Sequence, residues 1–490
     1  MDPAYRLART ESPGSGPAAP TGLQRQGCSL GPVNTLRPSP STSLLTDMYE
    51  LTMLQSALRS GAAHRDSVFE LFGRRLPASR RFGVVAGTGR LLEAIEAFTF
   101  TPEQIDFLHR TGVVDDETLD YLRDYRFSGT VRGYGEGECY FAGSPLLSVE
   151  GTFAEACIIE TLALSIYNYD CAVASAASRM TIAAHGRPCI DFGARRTHEQ
   201  AAVAAARAAV VGGFIGTSNL EAGLAYGIPT FGTSAHSFTL VHDSEEEAFA
   251  AQIASQGPST TILVDTYDVA TGVERAVAAA RAAGGELGAV RLDSGDLVAG
   301  AFKVRAQLDA LGATSTRITV TSDLDEYAIA GLGAAPVDSY GVGTRLVTGS
   351  GRPTAALVYK LVERRGADGT MEEVAKFSSG GKSTVGGRKW AGRVLDSSGT
   401  AVEELVVSST TEDQGMEALA AAHARPLQLT LIDQGRVVEE HRGPGALEAA
   451  AERHRVSRAE LPYDAWRLSE GDPALPTRHL DLNGMQASRR

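Results

Sequence analysis

Between residues 187 and 362 the chain alternates short apolar runs with polar clusters. Eight such runs occur: RPCIDFGARR (187–196), GGFIGTSN (212–219), PTFGTSAH (229–236), TILVDTYD (261–268), AVRLDSGD (289–296), RITVTSD (317–323), DSYGVGTR (338–345) and TAALVYKL (354–361). Continuous apolar runs of this length suit parallel strands buried on both faces. The Ala-rich stretches AAVAAARAAVV (201–211) and VERAVAAARAAG (273–284) predict crossover helices between them. The rhythm predicts an α/β fold, either a barrel or a doubly wound sheet. In both, chemistry gathers at the carboxyl ends of the strands. Here those ends carry Arg, His, Asp, Ser, Thr and Gly.

Outside this region the pattern is mixed. LLTDMYELTMLQSALRSG predicts a helix capped within Ser41–Asp47. VFELFGRRL and GTVRGYGEGECYFAG predict strands, GRLLEAIEAF and ETLDYLRDY helices. SPLLSVEGTFAEACIIETLALSIYNYDCA predicts a strand running into a long apolar helix, and the chain after residue 362 is less distinctive. The first 40 residues hold 16 Pro, Gly or Ser and no apolar core, which predicts a disordered extension and not a signal peptide. The expected division is 1–40 extension, 41–165 N-terminal α+β domain, 166–362 α/β domain and 363–490 C-terminal segment.

A chain of 490 residues is too long for one core. It is 43% hydrophobic and 21% charged, and no apolar run nears the roughly 18 residues that span a bilayer. A net charge of −13 argues against nucleic acid or an anionic membrane as partner. An anionic substrate would therefore need a local basic pocket. The five cysteines are scattered, with no CxxC pair, which fits a reducing, cytoplasmic setting.

Two motifs are look-alikes. GTGRLL (87–92) lacks the third glycine of a dinucleotide fingerprint and predicts a turn before an amphipathic helix. GGKST (380–384) fails as a phosphate loop because Lys376 stands where the leading glycine belongs, although Lys382 could still reach a phosphate. In AVRLDSGDL, strand alternation puts Arg291 and Asp293 on one face, an anion-binding guanidinium beside a carboxylate that can face a developing positive charge or hold magnesium. A structural ion pair is the plainer alternative. FGTSAHSF sets His236 among hydroxyls just past a strand end, with Thr233 before it. GVGTRL offers little-obstructed backbone N–H groups at Gly343 followed by Thr344, suited to phosphate. Arg195 and Arg196 follow DFG at another strand end, and Ser322 in SDLDE stands at an expected helix N-cap.

Together these motifs resemble the nicotinate phosphoribosyltransferase family, over about residues 44–390. The resemblance is carried by LLTDMYELTM, FELFGRR, SRM, DFGARR, GGFIGTSN, FGTSAHSF, VDTYD, VRLDSGDL, SDLDE, YGVGTRLV, YKLVE and GKSTVGGRK, in that order. It implies an irregular, TIM-like α/β barrel with an additional α+β domain built from N- and C-terminal segments, and a homodimer with shared active sites. It implies conversion of nicotinate and 5-phosphoribosyl 1-diphosphate to nicotinate mononucleotide and diphosphate, in NAD biosynthesis. ATP hydrolysis is coupled to this step, and Mg2+ accompanies ATP and the phosphoribosyl donor. By resemblance, His236 is the transiently phosphorylated histidine. Tyr49 stacks on the pyridine ring from the neighbouring subunit, Thr233 and Arg291 contact nicotinate, and Thr344 lies on the ribose-phosphate side. Arg195, Arg196, Gly343 and Ser322 are further contacts for phosphoribosyl diphosphate, and Asp293 stabilises the sugar cation. The chain departs from the family pattern at THEQ after the Arg pair and at Val385-Gly386.

Three alternatives stay open at this level. A nicotinamide or quinolinate phosphoribosyltransferase would share the fold. A barrel lyase or aldolase on a sugar phosphate could use Lys360 in YKLVE as a Schiff-base lysine at a strand end. A non-catalytic nucleotide or phosphosugar sensor would bind without turnover.

Overall fold

A computed structural model describes residues 41–376 and 384–483. The expected extension at 1–40 and Lys382 lie outside the described residues. The chain forms two compact units. The smaller comprises Thr233–Leu292 and Phe302–Ile318. The larger comprises the described residues up to Gly232, Asp293–Ala301, and those from Thr319 onward.

In the larger unit a long helix, Glu160–Ala183, is apolar around nearly its whole circumference and buried accordingly, with Ile166, Tyr167, Cys171, Val173 and Met180 all inside. The helix Glu199–Val211 packs on it through alanines. The approach is close enough that a Cβ on Gly212 would sit 2.5 Å from the Ala177 Cβ, so glycine is required there. The parallel strands follow: Ser339–Val342 lies between Cys189–Asp191 and the Thr319–Val320 end of the strand Arg317–Val320. In the smaller unit Thr261–Leu263 pairs in parallel with Ala289–Leu292, and the Ala-rich run forms the helix Val269–Ala282.

A seven-stranded antiparallel sheet in the larger unit draws on both sides of the parallel region. Its order is Met371–Glu373, Leu357–Arg365, Asp66–Gly73, Leu147–Thr152, Thr130–Tyr134, Gln428–Asp433 and Arg436–Val437. Phe69 and Tyr359 stack across it with ring centroids 5.0 Å apart, over a core that includes Leu71, Phe98, Tyr125 and Val149. A second sheet orders Ala424–Pro426, Lys389–Leu395, Ala401–Ser408 and Thr477–Asp481. The helices expected in LLTDMYELTMLQSALRSG, GRLLEAIEAF, ETLDYLRDY and the long apolar stretch are present, over 48–60, 88–96, 116–124 and 160–183.

Three runs behave differently from the expectation. Runs 212–219 and 229–236 shrink to isolated parallel bridges, Thr217 with Asp191 and Thr217 with Thr230. Glycines at 212, 213, 216 and 232 and Pro229 interrupt them, so two or three backbone hydrogen bonds form where a full ladder would need more. The run 354–361 does form a strand, but it pairs antiparallel with Asp66–Gly73 and does not join the parallel set. A continuous apolar run records burial on two faces and says nothing about the direction of its partner.

Candidate active site

Strand ends in the smaller unit gather an imidazole, a guanidinium, a carboxylate and hydroxyls. Arg291 is the third residue of Ala289–Leu292, in register with Leu263, so the segment Val264–Thr266 leaves its strand close to Arg291. The Arg291 guanidinium is held from two sides: Nη1 donates to Thr233 Oγ1 at 2.6 Å and Nη2 to the Ser234 carbonyl at 3.0 Å. His236 opens the short helix His236–Leu240. Its Nδ1 lies 3.1 Å from Thr266 Oγ1, and its Nε2 4.0 Å from Asp265 Oδ1. The imidazole is 41% exposed while the Asp265 side chain is 2% exposed, so a buried carboxylate stands behind an accessible ring.

The larger unit brings a second set together. Asp191, at the carboxyl end of Cys189–Asp191, is buried and accepts from the Gly193 N–H (2.7 Å) and from Thr217 Oγ1 (2.7 Å). Burial pushes its carboxyl pKa up, against the pull of those two donors. The turn that follows is closed by the Arg196 N–H on the Gly193 carbonyl. It puts Arg195 and Arg196 on the exposed side. It also lies against the GVGT segment: a Cβ on Gly193 would meet Val347 Cγ1 at 2.2 Å and the Gly343 carbonyl at 3.2 Å. Gly343 is the N-terminal flank of the short helix Thr344–Val347. The exposed arginine pair and the Gly343–Thr344 backbone therefore face one neighbourhood, suited in charge to a phosphate.

Asp293 accepts a hydrogen bond from Thr321 Oγ1, which fixes the carboxylate by a residue at the end of the Arg317–Val320 strand. Ser322 is next in the chain, with φ at 108°. It does not cap a helix as expected. The helix is Glu326–Gly331, and Asp325 caps it by accepting from the Tyr327 and Ala328 N–H groups. Asp325 outcompetes Ser322 because its carboxylate takes two of the orphan donors at once.

Residues 44–168 match the nicotinate phosphoribosyltransferase (NAPRTase) N-terminal domain, and residues 188–376 match the nicotinate phosphoribosyltransferase (NAPRTase) family. The chain belongs to the nicotinate phosphoribosyltransferase family. It is 53% identical to nicotinate phosphoribosyltransferase pncB1 of Mycobacterium tuberculosis (strain CDC 1551 / Oshkosh), over 89% of this chain and 95% of that one. It is 38% identical to nicotinate phosphoribosyltransferase of Bacillus subtilis (strain 168), over 73% and 74%. The fold is similar to that of human nicotinic acid phosphoribosyltransferase, with a TM-score of 0.75 at 24% identity, covering 90% of this chain and 98% of that one.

In this member of the nicotinate phosphoribosyltransferase family, Tyr49 lies in the first turn of Met48–Ser60 and is 48% exposed. Partial burial, then the carboxylates of Glu160 and Glu50, push its phenol up to about 12, so it is a neutral aromatic face at any physiological pH. Lys360 lies 3.4 Å from Glu160 and donates to the Tyr359 carbonyl, within an antiparallel strand. It is neither at a parallel strand end nor free of an acidic partner, which removes the ground for a Schiff-base lysine. GTGRLL is the turn and helix expected, with the helix at Thr88–Glu96. Its Gly87 and Gly89 N–H groups are taken by the Glu136 carboxylate (2.7 and 3.2 Å), itself paired with Arg207, so the protein's own anion occupies the place of a diphosphate.

Asp265, Thr266 and Thr321 escaped the sequence reading as site residues. Their signal was position alone, one to three residues past a predicted strand end, which many inert residues share.

Proposed function

We propose that this chain joins nicotinate to 5-phosphoribosyl 1-diphosphate, and that it couples the transfer to ATP hydrolysis through phosphorylation of His236. The ring nitrogen of nicotinate attacks C1 of the ribose, the C1–O bond breaks, and diphosphate leaves with the electron pair. A pyridine nitrogen needs no general base, so the protein's task is to position and to balance charge. Arg291, held by Thr233 and the Ser234 carbonyl, would receive the nicotinate carboxylate. Asp293, fixed by Thr321, would face the positive charge that develops on the sugar. Arg195, Arg196, Gly343 and Thr344 would hold phosphates, and the Ser322 backbone would lie on the same side. Tyr49 would cover the pyridine ring from a second subunit, in a homodimer with shared active sites. The alternating strands and helices would close as an irregular barrel.

Coupling needs an imidazole that attacks the γ-phosphorus of ATP, expels ADP, and later loses its phosphoryl group to water. Thr266 fixes the ring through Nδ1, and the buried Asp265 carboxylate lies 4.0 Å from Nε2. Magnesium would neutralise the diphosphate as it leaves. The donor chemistry fits an ion carried mainly by substrate oxygens: among the described residues no three His, Cys, Asp or Glu converge to hold a metal, while Asp293 can add one carboxylate.

The observation that carries this reading is the Arg291 guanidinium, fixed by Thr233 at a strand end in a chain 53% identical to a nicotinate phosphoribosyltransferase. The experiment is incubation with nicotinate, phosphoribosyl diphosphate and magnesium, with and without ATP, followed by identification of products. Nicotinate mononucleotide should form and ADP should accumulate with it. Product from nicotinamide or quinolinate in preference to nicotinate would overturn the assignment.

A further inference from the structure

A cavity of about 490 Å³ in the larger unit is lined by none of the residues placed in the candidate active site. Its walls come from the ends of the helices Glu199–Val211 and Leu220–Tyr226, the Gly227–Pro229 link, and one face of the helix Gly443–Ala459. Gly213 and Gly227–Pro229 lead into the parallel bridges at Thr217 and Thr230, so the cavity opens at the amino ends of these segments. Asp191, Thr217 and the arginine turn stand at their carboxyl ends. The cavity is therefore distinct from the candidate active site, and its volume is in the range of small-molecule sites.

Tyr226, Ile228, Pro229, Pro444 and Leu447 line it with apolar surface. Four charged side chains and one histidine face it. Glu452 is taken by Arg455 at 2.6 Å, and Glu448 is exposed. His454 is buried, and burial pushes its imidazole down to about 3. It is neutral, donating from Nδ1 to the Gly137 carbonyl and accepting from the Ser178 hydroxyl at Nε2 (2.9 Å). Arg458 is the group left to act. It is half-buried and donates to Thr181 Oγ1 at 2.8 Å, and among the described residues no carboxylate pairs with it. The most deeply buried arginines of the unit behave otherwise: Arg207, Arg179 and Arg393 each have an acidic partner. A guanidinium taken from water without a counter-charge is costly unless an anion arrives.

We propose that this cavity is a binding site for a compact aromatic carboxylate, its flat body against Tyr226, Ile228 and Pro444 and its carboxylate on Arg458. Loss of the cation should remove selectivity for charge but not all affinity, because the walls remain. Filling the cavity should remove both.

The probes are 2-naphthoate and its uncharged counterpart 2-naphthamide, titrated into the full chain by calorimetry. Wild type should bind one equivalent of the acid about tenfold more tightly than the amide, as one charge-assisted contact allows. Arg458→Met should bring the two affinities together, Arg458→Lys should keep the preference, and Ala451→Trp should abolish binding of both. Arg291→Gln should change nothing, which separates this site from the nicotinate clamp. Failure of wild type to bind 2-naphthoate, or an acid preference lost in Arg291→Gln but kept in Arg458→Met, overturns the proposal. Turnover of nicotinate by Arg458→Lys and Ala451→Trp checks that each variant is folded.

Discussion

Arg291→Gln should convert an enzyme that reads the charge of its pyridine substrate into one that does not. The guanidinium is set by two hydrogen bonds, to Thr233 Oγ1 and to the Ser234 carbonyl. Glutamine offers one donor nitrogen where the guanidinium uses two, and brings no charge. Removing one partner of a desolvated charge pair costs about 2–5 kcal/mol. Arg291 is only half-buried, so the lower part of that range applies. About 2–3 kcal/mol corresponds to roughly 30- to 150-fold in kcat/KM for nicotinate, at about 1.4 kcal/mol per decade. Nicotinamide has no carboxylate to lose and should fall far less, and KM for phosphoribosyl diphosphate should stay near its wild-type value. Thr233→Val keeps the cation but frees one of its anchors, and the loss of that one hydrogen bond should cost about 1 kcal/mol, roughly fivefold. Steady-state kinetics with both bases on both variants supply the comparison. Equal losses for acid and amide would mean that Arg291 supports the strand ends of its unit and does not read the carboxylate.

Three further outcomes are expected. His236→Ala should abolish ADP release linked to nicotinate, leaving a slow ATP-independent transfer; a variant that still makes ADP in step with product would refute the phosphohistidine. Inactive Tyr49→Ala and His236→Ala chains, mixed and shown to form mixed dimers, should recover part of the activity, and no recovery would count against a shared site. Glu50, raised by burial from 4.5 to about 7, keeps in the folded chain a proton that the unfolded chain releases, so its contribution to stability is lost as pH rises from about 4.5 through 7. Glu50→Gln removes that loss, and its melting temperature relative to wild type should therefore be higher at pH 8 than at pH 4.5. The same difference at both pH values would show that Glu50 is ionised in the fold.

Period and composition were enough to place most elements. The apolar circumference of 160–183, the alanine runs at 201–211 and 273–284, and the strands ending in Asp191, Leu292 and Val342 all declare their burial locally, because a side chain's need to leave water is a property of that side chain. The motif order likewise carried the family, since each motif is a contiguous string. What the tertiary structure alone decided is pairing. The run at 354–361 could have joined either sheet, and took an antiparallel partner almost 300 residues away in sequence. That choice moved Lys360 from a supposed strand-end nucleophile to an ion pair with Glu160. Asp325 displaced Ser322 as a helix cap through a competition for N–H groups that only geometry settles. The partners that orient His236, Thr266 and Asp265, lie 30 and 29 residues from it, and a hydrogen bond across that distance leaves no periodic trace in the chain. Burial is written residue by residue, whereas the identity of a neighbour is a relation between distant residues and exists only once the chain has folded.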